Sequence, residues 1–119
     1  MKNYLLEQNS FPFDILPFCP LIAEIIKPDG QTKHKILAFN EIFIERINLY
    51  VANYSVYIDD QFLAKICSDG LIISTQIGST AYCYSAQGSI VYPNSSIIQL
   101  TPTNPFGINF RSMVLPNTV

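Results

Sequence analysis

DGLIISTQIGSTAYCYSAQGSIVYP, residues 69–93, changes texture twice. Asp69-Gly70 completes a turn begun at Ser68, and the glycine permits an unusual backbone path. Leu71–Thr75 (LIIST) is a short, wholly apolar-to-hydroxyl strand. Residues 76–89 then become small and hydroxyl-rich. Ser79 is placed to cap a short helix over residues 80–86, with Gly88 as its stop. A buried strand that runs through a glycine-opened loop into a helix start brings backbone N–H groups and hydroxyls together. Those groups suit phosphate or ribose oxygens. Tyr82 and Ser85 lie three apart on one helix face, an aromatic plate beside a hydroxyl. A plain capped helix packed on a sheet is the alternative.

Outward from this stretch, the chain reads as strands and turns. Ile, Val, Thr, Tyr and Phe are abundant and Trp is absent. Leu21–Lys27 is a strand, Pro28-Asp29-Gly30-Gln31 a turn, and Thr32–Phe39 its hairpin partner, solvated over its polar first half. Ile42–Ile47 follows. Tyr50–Ile58 and Phe62–Cys67 flank an Asp59-Asp60 hairpin tip. Strand candidates continue at Ile90-Val91 and at Ile97–Thr101, the latter ended by Pro102 and Pro105. Phe110–Leu115 is the last apolar segment. Residues 1–19 carry Pro12 and Pro17 just before Pro20 and read as a linker or incomplete element. The expected fold is mainly β, rich in antiparallel strands, with one short helix, over residues 20–119.

Composition narrows the function classes. The chain has 119 residues, enough for one core. Apolar residues make up 49% and charged ones 13%, the reverse of a disordered segment. Lys plus Arg number 7 against 9 Asp plus Glu, so phosphate-neutralising nucleic-acid binding is not expected. The greasiest stretch, Phe11–Ile26, contains Asp14 and three prolines, which argues against a membrane span. The start MKNYLLEQNS lacks the apolar run and cleavage site of a signal peptide. Cys19, Cys67 and Cys83 are odd in number and widely spaced, which reads as three buried free thiols in an intracellular, cytoplasmic chain, with an organelle left open. With one histidine and no CxxC, a zinc site is not expected. His34, between two lysines, reads as an exposed strand position and not as a base.

A second place breaks local rules. Asn40-Glu41 sets a carboxamide and a carboxylate inside an apolar run. Either both lie in water at a strand end or bulge, or they face a ligand, for which ribose hydroxyls are natural partners.

The stretch from Asp69 to Pro93, the pair Asn40-Glu41 in AFNEIFI, and TPTNPFGINFRSMVLP at residues 101–116 together closely resemble the hallmark blocks of the NAD kinase family, in its order. The resemblance covers roughly residues 20–119. It implies an enzyme that transfers the γ-phosphoryl of ATP, or of polyphosphate, to the 2′-hydroxyl of the adenosine ribose of NAD. The family requires a divalent metal such as Mg2+ and joins an N-terminal α/β domain to a C-terminal β-domain. This chain resembles most of the second domain, with the first absent. Carried over by position, the NAD-binding residues are Asn40, Glu41, Asp69, Thr80, Ala81, Tyr82 and Ser85. The family assembles and builds its NAD site partly across subunits, so a homo-oligomer is expected, with NAD and ATP as partners.

Departures from the pattern set further expectations. The GGDG motif, which cradles phosphate and supplies the family's catalytic aspartate, does not occur. The chain therefore contains no catalytic residue and is expected to be inactive alone, as a piece of a longer product. Gln87 stands where the family usually has glycine, and Phe106 where many members have histidine. The rival reading is a non-catalytic module that binds nucleotide or docks to a partner. Related lipid kinases are disfavoured by the length of the GSTAY match.

Overall fold

A computed structural model describes residues 18–31, 33–107 and 110–118. The expected linker over 1–19 lies almost wholly outside the described residues. Among the described residues, eight strands form three antiparallel sheets, with one α-helical turn beside them. Strands β1 (Leu21–Ile26) and β2 (Lys33–Ala38) make one hairpin, and β4 (Ala52–Ile58) and β5 (Gln61–Ser68) another. The four-stranded sheet has the order β3-β6-β7-β8, from Glu41–Glu45, Gly70–Thr75, Ile97–Thr103 and Met113–Pro116. The mainly β, antiparallel architecture expected from the sequence is the one observed.

Strand β6 lies inside this sheet between β3 and β7, and five of its six residues are buried. Cross-strand partners share a face. On one face, Leu71, Ile73 and Leu100 join Ile66 of β5, Phe110 and Met113 in the apolar core. The β4–β5 hairpin closes that face through half-buried Tyr54, Val56 and Ala64, which alternate with exposed neighbours. Its two-residue tip has Asp59 and Asp60 at φ 48° and 62°, the mirror-image turn that matches strand twist. The opposite face carries Phe43, Ile72 and Thr101 in one row and Glu41, Ser74 and Gln99 in the next. Residues 77–88 cover it: buried Cys83 places Sγ 3.3 Å from Thr101 Oγ1. Thr101 Oγ1 lies 2.7 Å from Ser112 Oγ. Turned to satisfy both its ends, the Gln99 amide donates to Ser89 O (2.9 Å) and accepts from Ser89 N–H (2.6 Å).

Five local expectations are corrected. Ser68-Asp69-Gly70 is no hairpin turn, because β5 and β6 do not pair; the chain bends at Asp69 and crosses into the large sheet. Gly70 has no left-handed backbone either. A side chain there would collide with the Phe43 ring and the Ile44 carbonyl, so close approach is what requires glycine. Pro102 does not end β7. The Thr103 carbonyl accepts from Asp69 N–H (3.0 Å), so Pro102 faces the other edge, where β8 has already stopped pairing. Ile90-Val91 forms no strand. Of the three thiols only Cys83 is buried, because Cys19 lies at the rim before β1 and Cys67 is half-buried on β5.

The expected helix over 80–86 is also shorter. A 3-10 turn, Ile77–Thr80, precedes α1, Tyr82–Ser85, and Ser79 caps neither. Its hydroxyl accepts instead from Val91 N–H at 3.1 Å. The left-handed residue after α1 is Gln87, at φ 66°, and not Gly88. A residue with a Cβ is strained there by about 1–2 kcal/mol. Gln87→Gly should therefore stabilise the chain by roughly 0.5–1 kcal/mol after glycine's extra unfolded-state entropy. Thermal denaturation should show a Tm raised by roughly 2–6 °C.

Candidate functional site

A short knot joins the two segments that the sequence singled out. Thr75 ends β6, and its N–H donates to the Asn40 carbonyl at 2.9 Å. Its Oγ1 reaches the Phe39 and Asn40 carbonyls at 2.9 and 3.2 Å and accepts from Gly78 N–H at 3.1 Å. Gly78 lies so close to Asn40 that an added Cβ would collide with that residue's carbonyl. One hydroxyl and one missing side chain thus hold Asn40-Glu41 against the 77–82 loop.

Around this knot the site residues separate into two groups. Asn40 is exposed just before β3. Glu41 opens β3 opposite Ser74, half-buried. Its Oε2 and the Ser74 hydroxyl are buried without hydrogen-bond partners, as is Gln76 Oε1. Of the two readings of this pair, full exposure to water holds for Asn40, while Glu41 keeps one carboxylate oxygen out of water. Unpaired acceptors beside a hydroxyl favour a ligand that donates hydrogen bonds. Thr80 is exposed and its Oγ1 donates to Ile77 O at 3.3 Å. Ala81 is half-buried, its N–H held by Gly78 O at 3.0 Å. Tyr82 is 47% exposed, with its ring edge-on to Phe43 at 5.3 Å between centroids. Ser85 is exposed at the end of α1. These six sit on one face of the sheet or on the segment that covers it. The helix start that suits phosphate or ribose oxygens is here a single turn, which carries little dipole.

Asp69 lies at the far end of β6 from the Thr75 knot, while the Phe43 ring that meets Tyr82 packs against its neighbour Gly70. Asp69 itself lies six residues before Thr75 along β6, about 20 Å at the rise of an extended strand. There Arg46 Nε donates to Asp69 Oδ1 at 2.7 Å and Asn104 Nδ2 to Oδ2 at 3.1 Å. The Arg46 and Asp69 side chains are 27% and 29% exposed. The Asn104 hydrogen bond first, and then Arg46, hold the Asp69 carboxyl below its ordinary pKa against the opposing effect of burial. Burial, then Asp69 and Glu45, push the Tyr54 phenol upward, with Arg46 opposing. Arg46, Asn104, Thr75 and Phe43 did not stand out in the sequence. Each acts through a partner distant along the chain, and only Gly78 beside Asn40 left a trace, as the glycine opening the loop.

Thr75→Val keeps the shape but strips the hydroxyl from two carbonyls and one N–H. It should cost about 1–3 kcal/mol in urea denaturation, while Thr75→Ser stays near wild type. Because the folded-state pKa of Asp69 is depressed, its contribution is present above the unfolded carboxylate value near 4 and is lost as pH falls through the folded one. The stability gap between wild type and Asp69→Asn should be flat above about pH 5 and close below about pH 4, measured by chemical denaturation across pH.

The ATP-NAD kinase C-terminal domain family matches residues 39–119. A chain from Oryza sativa subsp. japonica, described as "Probable NAD kinase 1", is 40% identical over 102 residues, 85% of this chain and 19% of that protein. The crystal structure of yeast NADH kinase complexed with NADH superposes with a TM-score of 0.77 at 38% identity, covering 82% of this chain and 27% of the other. That of an NAD kinase from Archaeoglobus fulgidus in complex with ATP gives 0.67 at 32% identity, covering 82% and 37%. The chain thus spans between a fifth and two fifths of the lengths of these proteins. With its hallmark residues built into the β3–β6 junction and the segment that covers the sheet, this chain belongs to the ATP-NAD kinase C-terminal domain family.

Proposed function

We propose that this chain is the NAD-binding part of an NAD kinase, which forms NADP and ADP from NAD and ATP, or uses polyphosphate as donor. The observation that carries the reading is the buried, unpartnered Glu41 Oε2 opposite the unpartnered Ser74 hydroxyl. Ribose hydroxyls supply donors of the kind that such acceptors lack. In this reading Asn40 and Glu41 bind a ribose of NAD, with Thr80, Ala81 and Ser85 beside them. Tyr82, braced by Phe43, offers a ring face to a base.

In this reading Asp69, about 20 Å from Thr75 by strand rise, also binds NAD, contributed by another subunit. A homo-oligomer is proposed accordingly. Exposed Ile47, Leu49, Tyr50 and Phe106 near the Asp69 end support it. Among the described residues no three His, Cys, Asp or Glu side chains could hold a metal ion. A divalent metal such as Mg2+ is proposed to accompany ATP in the full-length enzyme. No helix among the described residues is long and apolar enough to cross a membrane. Residence in the cytoplasm is proposed, with an organelle left open.

The sequence has no GGDG, so the chain alone should give no detectable NADP from NAD and ATP. It should nonetheless give a saturable calorimetric titration with NAD, weakened at least tenfold by Tyr82→Ala. NADP formation by the 119-residue chain would refute the inactivity. A flat NAD titration on folded protein would overturn the nucleotide reading and leave a docking module.

A further inference from the structure

Helix α1 has four residues, too few to fix the direction of its own side chains. Two consecutive residues of it are instead pinned to one row of the sheet. That row is Phe43, Ile72 and Thr101, cross-strand neighbours on β3, β6 and β7. At its β7 end Cys83 Sγ lies 3.3 Å from Thr101 Oγ1. At its β3 end the Phe43 ring meets the Tyr82 ring, with centroids 5.3 Å apart and planes at 75°. Among the described residues, Phe43 is the one ring in contact with Tyr82. Cys83 therefore fixes where the turn sits, and Phe43 fixes how the Tyr82 ring is turned.

Phe43 reaches Tyr82 because of what lies on its other side. A Cβ at Gly70 would collide with the Phe43 ring and with the Ile44 carbonyl. The ring is thus wedged between Gly70 and Tyr82, with fully buried Ile72 opposite it on β6. Glu41 is two residues earlier on β3 and faces the same side, about 7 Å away along the strand. A ligand held at the unpartnered Glu41 Oε2 therefore lies one residue row from this pair of rings.

Granted that NAD binds here with Tyr82 against one of its bases, as proposed above, we propose that Phe43 is a positioning residue. Its ring, given room by Gly70, fixes the plane of the Tyr82 ring before NAD arrives, and it acts on NAD only through Tyr82. Without the brace a half-exposed tyrosine samples several rotamers, and selecting one of them on binding lowers affinity. An edge-to-face aromatic pair is strong enough to bias that choice severalfold.

The test is a double-variant cycle on the 119-residue chain, with NAD affinity read by calorimetry and folding checked by thermal denaturation. Phe43→Leu should weaken NAD binding about fivefold when Tyr82 is present, the size of one aromatic pair. In a Tyr82→Ala background the same change should cost less than about twofold, because the ring it orients is gone. Phe43→Ile, better suited to a strand, should give the same pattern. Loss of general stability would instead weaken both backgrounds alike. Equal losses with and without Tyr82, or unchanged affinity in both Phe43 variants, would overturn the proposal. Wild type that gives no NAD heat fails the nucleotide reading, and the positioning role with it. Wild type that binds NAD but shows no coupling between residues 43 and 82 fails the positioning role alone.

Discussion

Strand β6 has no solvent face. It runs between β3 and β7, with the β4–β5 hairpin on one side and residues 77–88 on the other, and only Ile73 among its residues is not fully buried. A strand so enclosed must pair every backbone group and tolerate no unpaired charge. Its composition obeys: Leu71, Ile72 and Ile73, then two hydroxyl residues, with glycine at its start where the Phe43 ring leaves no room. The polar residues of the site are consequently pushed to its two ends. At one end Thr75 gathers Phe39, Asn40 and Gly78; at the other Asp69 gathers Arg46, Thr103 and Asn104.

The two faces of the sheet divide the work by chemistry. The hairpin side is apolar and closes a small core around Ile66, Leu71, Leu100 and Phe110. The covered side is unusually polar for buried surface, with Ser74, Gln99 and Thr101 all below 2% exposed. A hydroxyl and an amide there fasten the 77–91 segment onto the sheet through Cys83 and Ser89, and Ser79 ties the segment to itself at Val91. Such hydrogen bonds contribute only about 1 kcal/mol each, but leaving one unmade costs more. That asymmetry locks a segment with one turn of helix, which has little stability of its own. Glu41 Oε2 and the Ser74, Gln76 and Thr103 side-chain oxygens are buried there without partners.

Much of the fold was legible because its signals are local. Alternation marked β4, and two aspartates marked its hairpin tip. Pro28-Asp29-Gly30 marked the first turn. Errors arose where a local rule met a distant contact. Ser79 resembles a helix cap, yet its hydroxyl serves Val91. Pro102 resembles a strand stop, yet it faces an edge beyond β8. Gly70 resembles a turn residue, yet Phe43 explains it.

The site divides in the same way. The sequence by itself singled out the candidates for the chemistry. A carboxamide and carboxylate inside an apolar run, and a small, hydroxyl-rich stretch after a buried strand, are visible without coordinates because they violate hydrophobic periodicity. Tertiary structure alone decided how those residues are arranged. Asn40-Glu41 meets the 77–82 loop because Gly78 has no side chain and Thr75 has a hydroxyl. Asp69 lies at the other end of β6 from Thr75 because the strand is extended, and its carboxylate is occupied by Arg46, 23 positions away, and Asn104, 35 away. Neither partner can be read from Asp69's neighbours in the chain, because strand pairing, and not sequence proximity, brings them within a hydrogen bond.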